Sequence, residues 1–132
     1  MIVKAIIDKL KAESSISLVV PTGMEANVGG GINPYVMVYE YPQYGLSRFE
    51  TDNGIVAIAV RVCFPPGYQQ DLDKFILFEL FSLLDRKTLE VVNGENKSYV
   101  QVTCSPSITA QDVGKDGYIF KERAIHAPTR WR

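Results

Sequence analysis

Between Ile55 and Leu84 the pattern of apolar and polar positions changes period once, and the rest of the chain is organised around that change. In Ile55–Phe64 the large apolar residues Val56, Ile58, Val60, Val62 and Phe64 alternate with Ala57, Ala59, Arg61 and Cys63. A period of two predicts a strand with one packed face and one small or polar face. Pro65, Pro66 and Gly67 end it, since proline cannot donate to a ladder. Leu72, Ile76, Leu77, Leu80, Phe81, Leu83 and Leu84 then fall on one half of a helical wheel, which predicts a helix folding back over the strand. Asp71 and Asp73 suit its first turn and Arg86 its other end. Phe75 and Phe78 fall off this stripe, on the arc of Lys74, Glu79, Ser82 and Asp85.

The flanking chain reads as short elements. Ile2, Val3, Ile6, Ile7 and Leu10 form a helical stripe ending before Ser14 and Ser15, and Ile16 to Val20 reads as a strand. Residues 21–34 are rich in breakers, with Gly29, Gly30 and Gly31 in a row. No phosphate-loop spacing accompanies these glycines, so flexibility explains them better than phosphate binding. Tyr35 to Tyr41 is a β-branched and aromatic strand. After a turn around Gly45 comes a short strand, Arg48 to Thr51, and Asp52-Asn53-Gly54 turns the chain into the Ile55 strand. Thr88–Val92 and Ser98–Cys104 flank a second hairpin, and the chain leads out of it through Pro106. Residues 108–117 read as a loop, Tyr118 to His126 as a last strand, and Pro128 to Arg132 as a basic aromatic tail. The expected class is α+β: a mainly antiparallel sheet with two helices packed on one face, in a single domain over residues 1–132.

Composition narrows function chiefly by exclusion. A net charge of −1 gives no global basic field for nucleic acid. The segment from Lys121 to Arg132 is locally basic, and a solvated or partner-binding tail is the preferred reading of it. The N-terminal apolar run is broken by charge every few residues, which argues against a signal peptide, and no segment is long enough to span a membrane. Two cysteines make no disulfide framework, so Cys63 and Cys104 are expected as buried free thiols. The lone histidine, His126, has no cysteine or carboxylate at metal-ligand spacing. No serine lies in a nucleophile elbow, and Asp112 to Gly117 lacks the ligand alternation of a calcium loop. No convergent set of polar residues is apparent. The expectation is an interaction protein without catalytic residues, cofactor or metal.

The layout resembles that of the tail terminator (tail completion) proteins of long-tailed bacteriophages. The resemblance is carried by the opening helix Ile2 to Leu10, the strand starting Pro34-Tyr35-Val36-Met37-Val38, the alternating strand Val56 to Val62, the helix Leu72 to Leu84 and the closing strand Ile119 to Ile125. It implies a homohexameric ring on the head-proximal end of the tail tube, where it stops tube polymerisation and meets the head completion or neck protein. In contractile phages the ring also meets the last sheath ring. DNA would pass through the lumen without sequence-specific binding, and the protein would be assembled in the host cytoplasm and end in the virion. A closed ring needs heterologous contacts whose rotation closes.

Candidate contact residues are Tyr41, Tyr44, Arg48 and Phe49 in and beside the first hairpin, the off-stripe Phe75 and Phe78, and Arg130 and Trp131 in the tail. Aromatic and arginine anchors are enriched at binding hot spots. The alternative for each is burial within its own subunit. Two other readings stay open: a different neck or tail ring protein, such as a head–tail stopper or tube-like protein, and a cytosolic α+β enzyme or ligand-binding domain.

Overall fold

The computed structural model describes residues 2–16, 18–21, 33–41, 55–109, 112–113 and 117–128. Helix α1, Ile2–Glu13, buries Ile2, Ile6, Ile7 and Leu10, the stripe its sequence predicts. Strands β1 (Val19–Pro21), β2 (Tyr35–Glu40) and β3 (Ile55–Phe64) follow, then helix α2, which runs from Gln69–Lys74 through Phe75–Glu79 to Leu80–Leu84. Strands β4 (Lys87–Asn93), β5 (Asn96–Ile108), β6 (Asp112–Val113) and β7 (Ile119–Pro128) complete the chain. The sheet order is β1-β2-β3-β7-β5-β4, with β6 added to β7. Among the described strands only the β1–β2 pair is parallel; the other pairs are antiparallel. The molecule is therefore an α+β protein built on a mainly antiparallel sheet.

Register sorts the sheet residues onto two faces. Val36 and Val38 lie opposite Val62 and Val60, and Ile58 lies opposite Ile125. This face joins the buried residues of α1 and α2 in one apolar core. The far face carries Met37, Tyr39, Ala59, Arg61 and Glu122, which the same registers place together. It is not simply the solvated side that the small residues of β3 suggest: Met37, Ala59 and Cys63 are all buried, and Cys63 packs with Tyr35 and Tyr118.

Three elements differ locally from the sequence expectation. Strand β1 is shorter than expected and starts at Val19, although Ile16 is buried ahead of it. Strand β5 does not leave the sheet at Pro106. It continues to Ile108, with a register shift between Cys104 and Ile108 that accommodates the proline as a bulge does. The expected loop at residues 108–117 contains β6.

Helix α2 departs most from the α-helical wheel. Phe75–Glu79 is a π-turn, in which Leu80 donates its N–H to the Phe75 carbonyl, five residues back. Such a turn winds more slowly than 100° per residue, so the side chains that follow lag the α-helical wheel. Phe75 consequently joins Leu72, Ile76, Leu80 and Leu84 in the core, at 2% exposure. Leu77 and Phe81, expected inside, are 42% and 40% exposed. Phe75 is thus corrected from a contact residue to a core residue, while Phe78 stands out at 70% exposure.

Candidate assembly surface

Strand β7 places three consecutive charged residues, Lys121, Glu122 and Arg123, alternately on the two faces of the sheet. Lys121 pairs with Asp73 and ties β7 to the start of α2. Arg123 is 6% exposed beneath the π-turn. Its Nη1 donates to the Ile76 carbonyl at 2.8 Å and lies 3.5 Å from that of Leu77, while its Nε donates to the Ser105 carbonyl at 2.8 Å. The guanidinium lies 5.0 Å from the centre of the Phe81 ring, a cation–π contact. A π-turn disturbs the regular pairing of helix carbonyls, and here a buried arginine supplies the donors. Lys121 is paired with Asp73 and Arg123 is buried, so the inner half of the basic segment read from the sequence is engaged within the subunit.

Glu122 points to the far face and is also 6% exposed. Arg61 Nε donates to its Oε1 at 2.6 Å, the Tyr39 hydroxyl donates to the same oxygen, and the Tyr41 hydroxyl donates to Oε2 at 3.2 Å. Arg61 also packs 4.5 Å from the centre of the Phe120 ring. Polar residues do converge here, contrary to the sequence expectation. The cluster satisfies itself, each carboxylate oxygen accepting from a side chain of the same subunit, and this is the arrangement of a structural network. Burial, then the Glu122 hydrogen bond and charge, raise the Tyr39 hydroxyl well above its ordinary value. Burial and the Glu122 charge push Tyr41 up to about 12. Burial alone would lower Arg61, but its hydrogen bond and charge pairing with Glu122 leave it raised. On the helix side of the sheet, burial pushes the Cys104 thiol up to about 11, with Arg123 opposing and Asp85 adding.

These shifts have a definite sign. A raised acid keeps its proton in the folded state after the unfolded chain has lost it. Stability is therefore unaffected by these groups below about pH 8 and falls as pH rises from there toward 12. The denaturant midpoint measured from pH 8 to 12 is expected to follow that course. The decline between pH 10 and 12 should be shallower in the Tyr39→Phe/Tyr41→Phe double variant, and an unchanged slope would contradict the network.

The expected contact residues divide sharply. Tyr41 is half-buried and its hydroxyl is engaged by Glu122. Tyr44, Arg48, Phe49, Arg130 and Trp131 lie outside the described residues, as do the short strand at 48–51 and the turn at 52–54. Their attachment points are described, however, and cluster. Tyr41 donates its N–H to the Ala57 carbonyl, and Ile55 lies opposite Pro128. The described residues that flank segments 42–54 and 129–132, Tyr41, Ile55 and Pro128, therefore lie together at the Ile55 end of β3.

The largest apolar surface on the helices belongs to α2. Leu77, Phe78 and Phe81 are exposed on one side of it, while Leu72, Phe75, Ile76, Leu80 and Leu84 fill the core from the other. Sequence reading found Phe78 as an off-stripe aromatic. It missed Leu77 and Phe81, because only the π-turn carries them outward. Exposed apolar clusters of this kind mark contact surfaces. Tyr99 and Val92, on the β4–β5 hairpin, are a second exposed pair.

No family model matches the chain, and no curated protein matches it. Among the described residues no group of histidine, cysteine, aspartate and glutamate is arranged to hold a metal ion. Among them, too, no helix is long and apolar enough to cross a membrane. Cys63 and Cys104 are buried and not disulfide-bonded.

Proposed function

We propose that this protein is a structural component of a phage tail, a terminator whose copies close into a six-membered ring on the head-proximal end of the tail tube. The observation that carries the assembly reading is the double-sided α2: one apolar face in the core and a second, Leu77-Phe78-Phe81, turned to solvent. Large apolar side chains grouped on an exposed helix face mark a contact surface. Support for the particular assembly comes from the order of elements, helix, strands, helix, strands, which is similar to that of tail terminators. In this reading the ring binds the tube protein on one side and the head completion or neck protein on the other, with sheath as a further neighbour in contractile tails. It resides in the virion, and DNA crosses its lumen without sequence-specific contacts. The self-satisfied Glu122 network argues for a structural role over the ligand-binding alternative.

Phe78→Asp tests the reading directly. The side chain is 70% exposed, so the variant is expected to unfold at nearly the wild-type denaturant midpoint. Its mass by light scattering should fall to that of a single subunit under conditions where the wild type assembles. Retention of the wild-type assembled mass would remove α2 from the interface.

A further inference from the structure

Arg123 takes the place that a backbone donor holds in a regular helix. In α-helical winding the Leu80 N–H would bond the Ile76 carbonyl, four residues back. In α2 it bonds the Phe75 carbonyl instead, and the Ile76 carbonyl accepts from Arg123 Nη1 at 2.8 Å. The side chain thus satisfies the buried acceptor from which the π-turn has withdrawn the backbone N–H. Its other arm serves β5 in the same way. The pairing of β5 with β7 shifts register between Cys104 and Ile108, and in that interval the Ser105 carbonyl accepts from Arg123 Nε at 2.8 Å. One guanidinium, itself buried, therefore joins the irregular turn of the helix to the irregular step of the strand. A rigid planar fork suits two such acceptors on different elements.

The same sequence also fits the other winding. At 100° per residue Leu77 falls about 60° from Leu80, close to Leu84 and on the core side. In the π-turn it is instead 42% exposed, beside Phe78. The two windings therefore differ in where Leu77 points. A buried carbonyl without a donor is costly, and α winding removes that cost by returning the Ile76 carbonyl to the Leu80 N–H. With Arg123 in place the cost does not arise, and the π-turn is kept. The guanidinium also lies 5.0 Å from the centre of the Phe81 ring and so braces the second member of the outer face.

We infer that Arg123 is a positioning residue that selects the π winding of α2 and thereby turns Leu77 outward to complete the Leu77-Phe78-Phe81 surface. The winding stands on the hydrogen bonds above, while its consequence for assembly rests on the function proposed for that surface.

Leu77→Cys places a reporter thiol at the position, and Cys63 and Cys104, both buried, add little background. The full chain is labelled with a water-soluble maleimide at concentrations where light scattering gives the mass of a single subunit, and mass spectrometry locates the label. Labelling at position 77 is expected to be fast, and to slow at least about tenfold when Arg123→Met is added, because a buried thiol reacts only through local opening. Arg123→Lys, which keeps a donor, is expected between the two. It carries the comparison by itself, at a rate below that of the Leu77→Cys parent, should Arg123→Met lose cooperative unfolding. An arginine that merely held the helix down would give the opposite sign, since a loosened α2 exposes position 77 more. Unchanged or faster labelling in Arg123→Met would therefore overturn the inference, and so would slow labelling in the parent. Light scattering of the same variants at high concentration separates the two readings. Slowed labelling with loss of the assembled mass supports both. Slowed labelling in a chain whose parent never assembles, alone or on added tail tubes, upholds the winding and defeats only the assembly reading.

Discussion

Arg123→Ala is expected to lower the stability of the subunit by about 3 kcal/mol. Removing the guanidinium leaves the Ile76 and Ser105 carbonyls without their donor at 2.8 Å, in a site where Arg123 itself is 6% exposed. An unsatisfied buried polar group costs about 1–3 kcal/mol, and the lost contact with Phe81 adds roughly 1 kcal/mol. Two such carbonyls and the Phe81 contact together come to about 3–7 kcal/mol, and relief of the buried charge's own desolvation holds the net figure at the low end of that range. The denaturant midpoint should fall with little change in slope, and the melting temperature should drop by roughly 10 °C. Arg123→Lys should fall in between, because an ammonium cannot span acceptors on β5 and α2 with a rigid fork. A loss below about 1 kcal/mol in Arg123→Ala would mean that the π-turn holds itself, contrary to this account.

Glu122→Ala should be nearly as damaging, again by about 3 kcal/mol, for a different reason. The carboxylate compensates Arg61, whose side chain is 32% exposed, and accepts from the two tyrosine hydroxyls. Its removal strands a half-buried cation and two donors on the far face at once. Glu122→Gln keeps an acceptor but loses the charge, and about half that cost is expected. Arg61→Met combined with Glu122→Leu should recover much of the loss, since replacing both partners of a buried pair by apolar groups is often close to neutral. If the double variant were as unstable as Glu122→Ala, the pair would matter for more than its own charge balance. Because Glu122 and Arg123 face opposite sides of one strand and share no partner, their effects should add.

The elements that the sequence exposes are those whose signal is local. The α1 stripe at Ile2, Ile6, Ile7 and Leu10 is a helical period in a short window, and the β3 alternation is a strand period of the same clarity. The β4–β5 hairpin follows from the turn at Gly94, which adopts a φ of 65°. What stays hidden is non-local. Arg61 and Glu122 are 61 residues apart and meet only once the β3–β7 register is known. Each could have been noticed as a charge within an apolar strand, but nothing in either strand names its partner. The π-turn is hidden for another reason: an α-helical wheel assumes uniform winding. That assumption sends Leu77 and Phe81 inward and Phe75 outward, and one slow turn reverses all three. Phe78 lies outside the core stripe in either winding and is exposed, whereas Phe75 is buried.

The most direct test of assembly is the mass of the wild-type protein in solution by light scattering, with negative-stain images of the same fractions, alone and with purified tail tubes. The account predicts closed six-fold rings of 14.8 kDa subunits that stop at one layer and cap one end of a tube. Dimers or monomers without rings in either condition, or rings that stack into long tubes of their own, would contradict it.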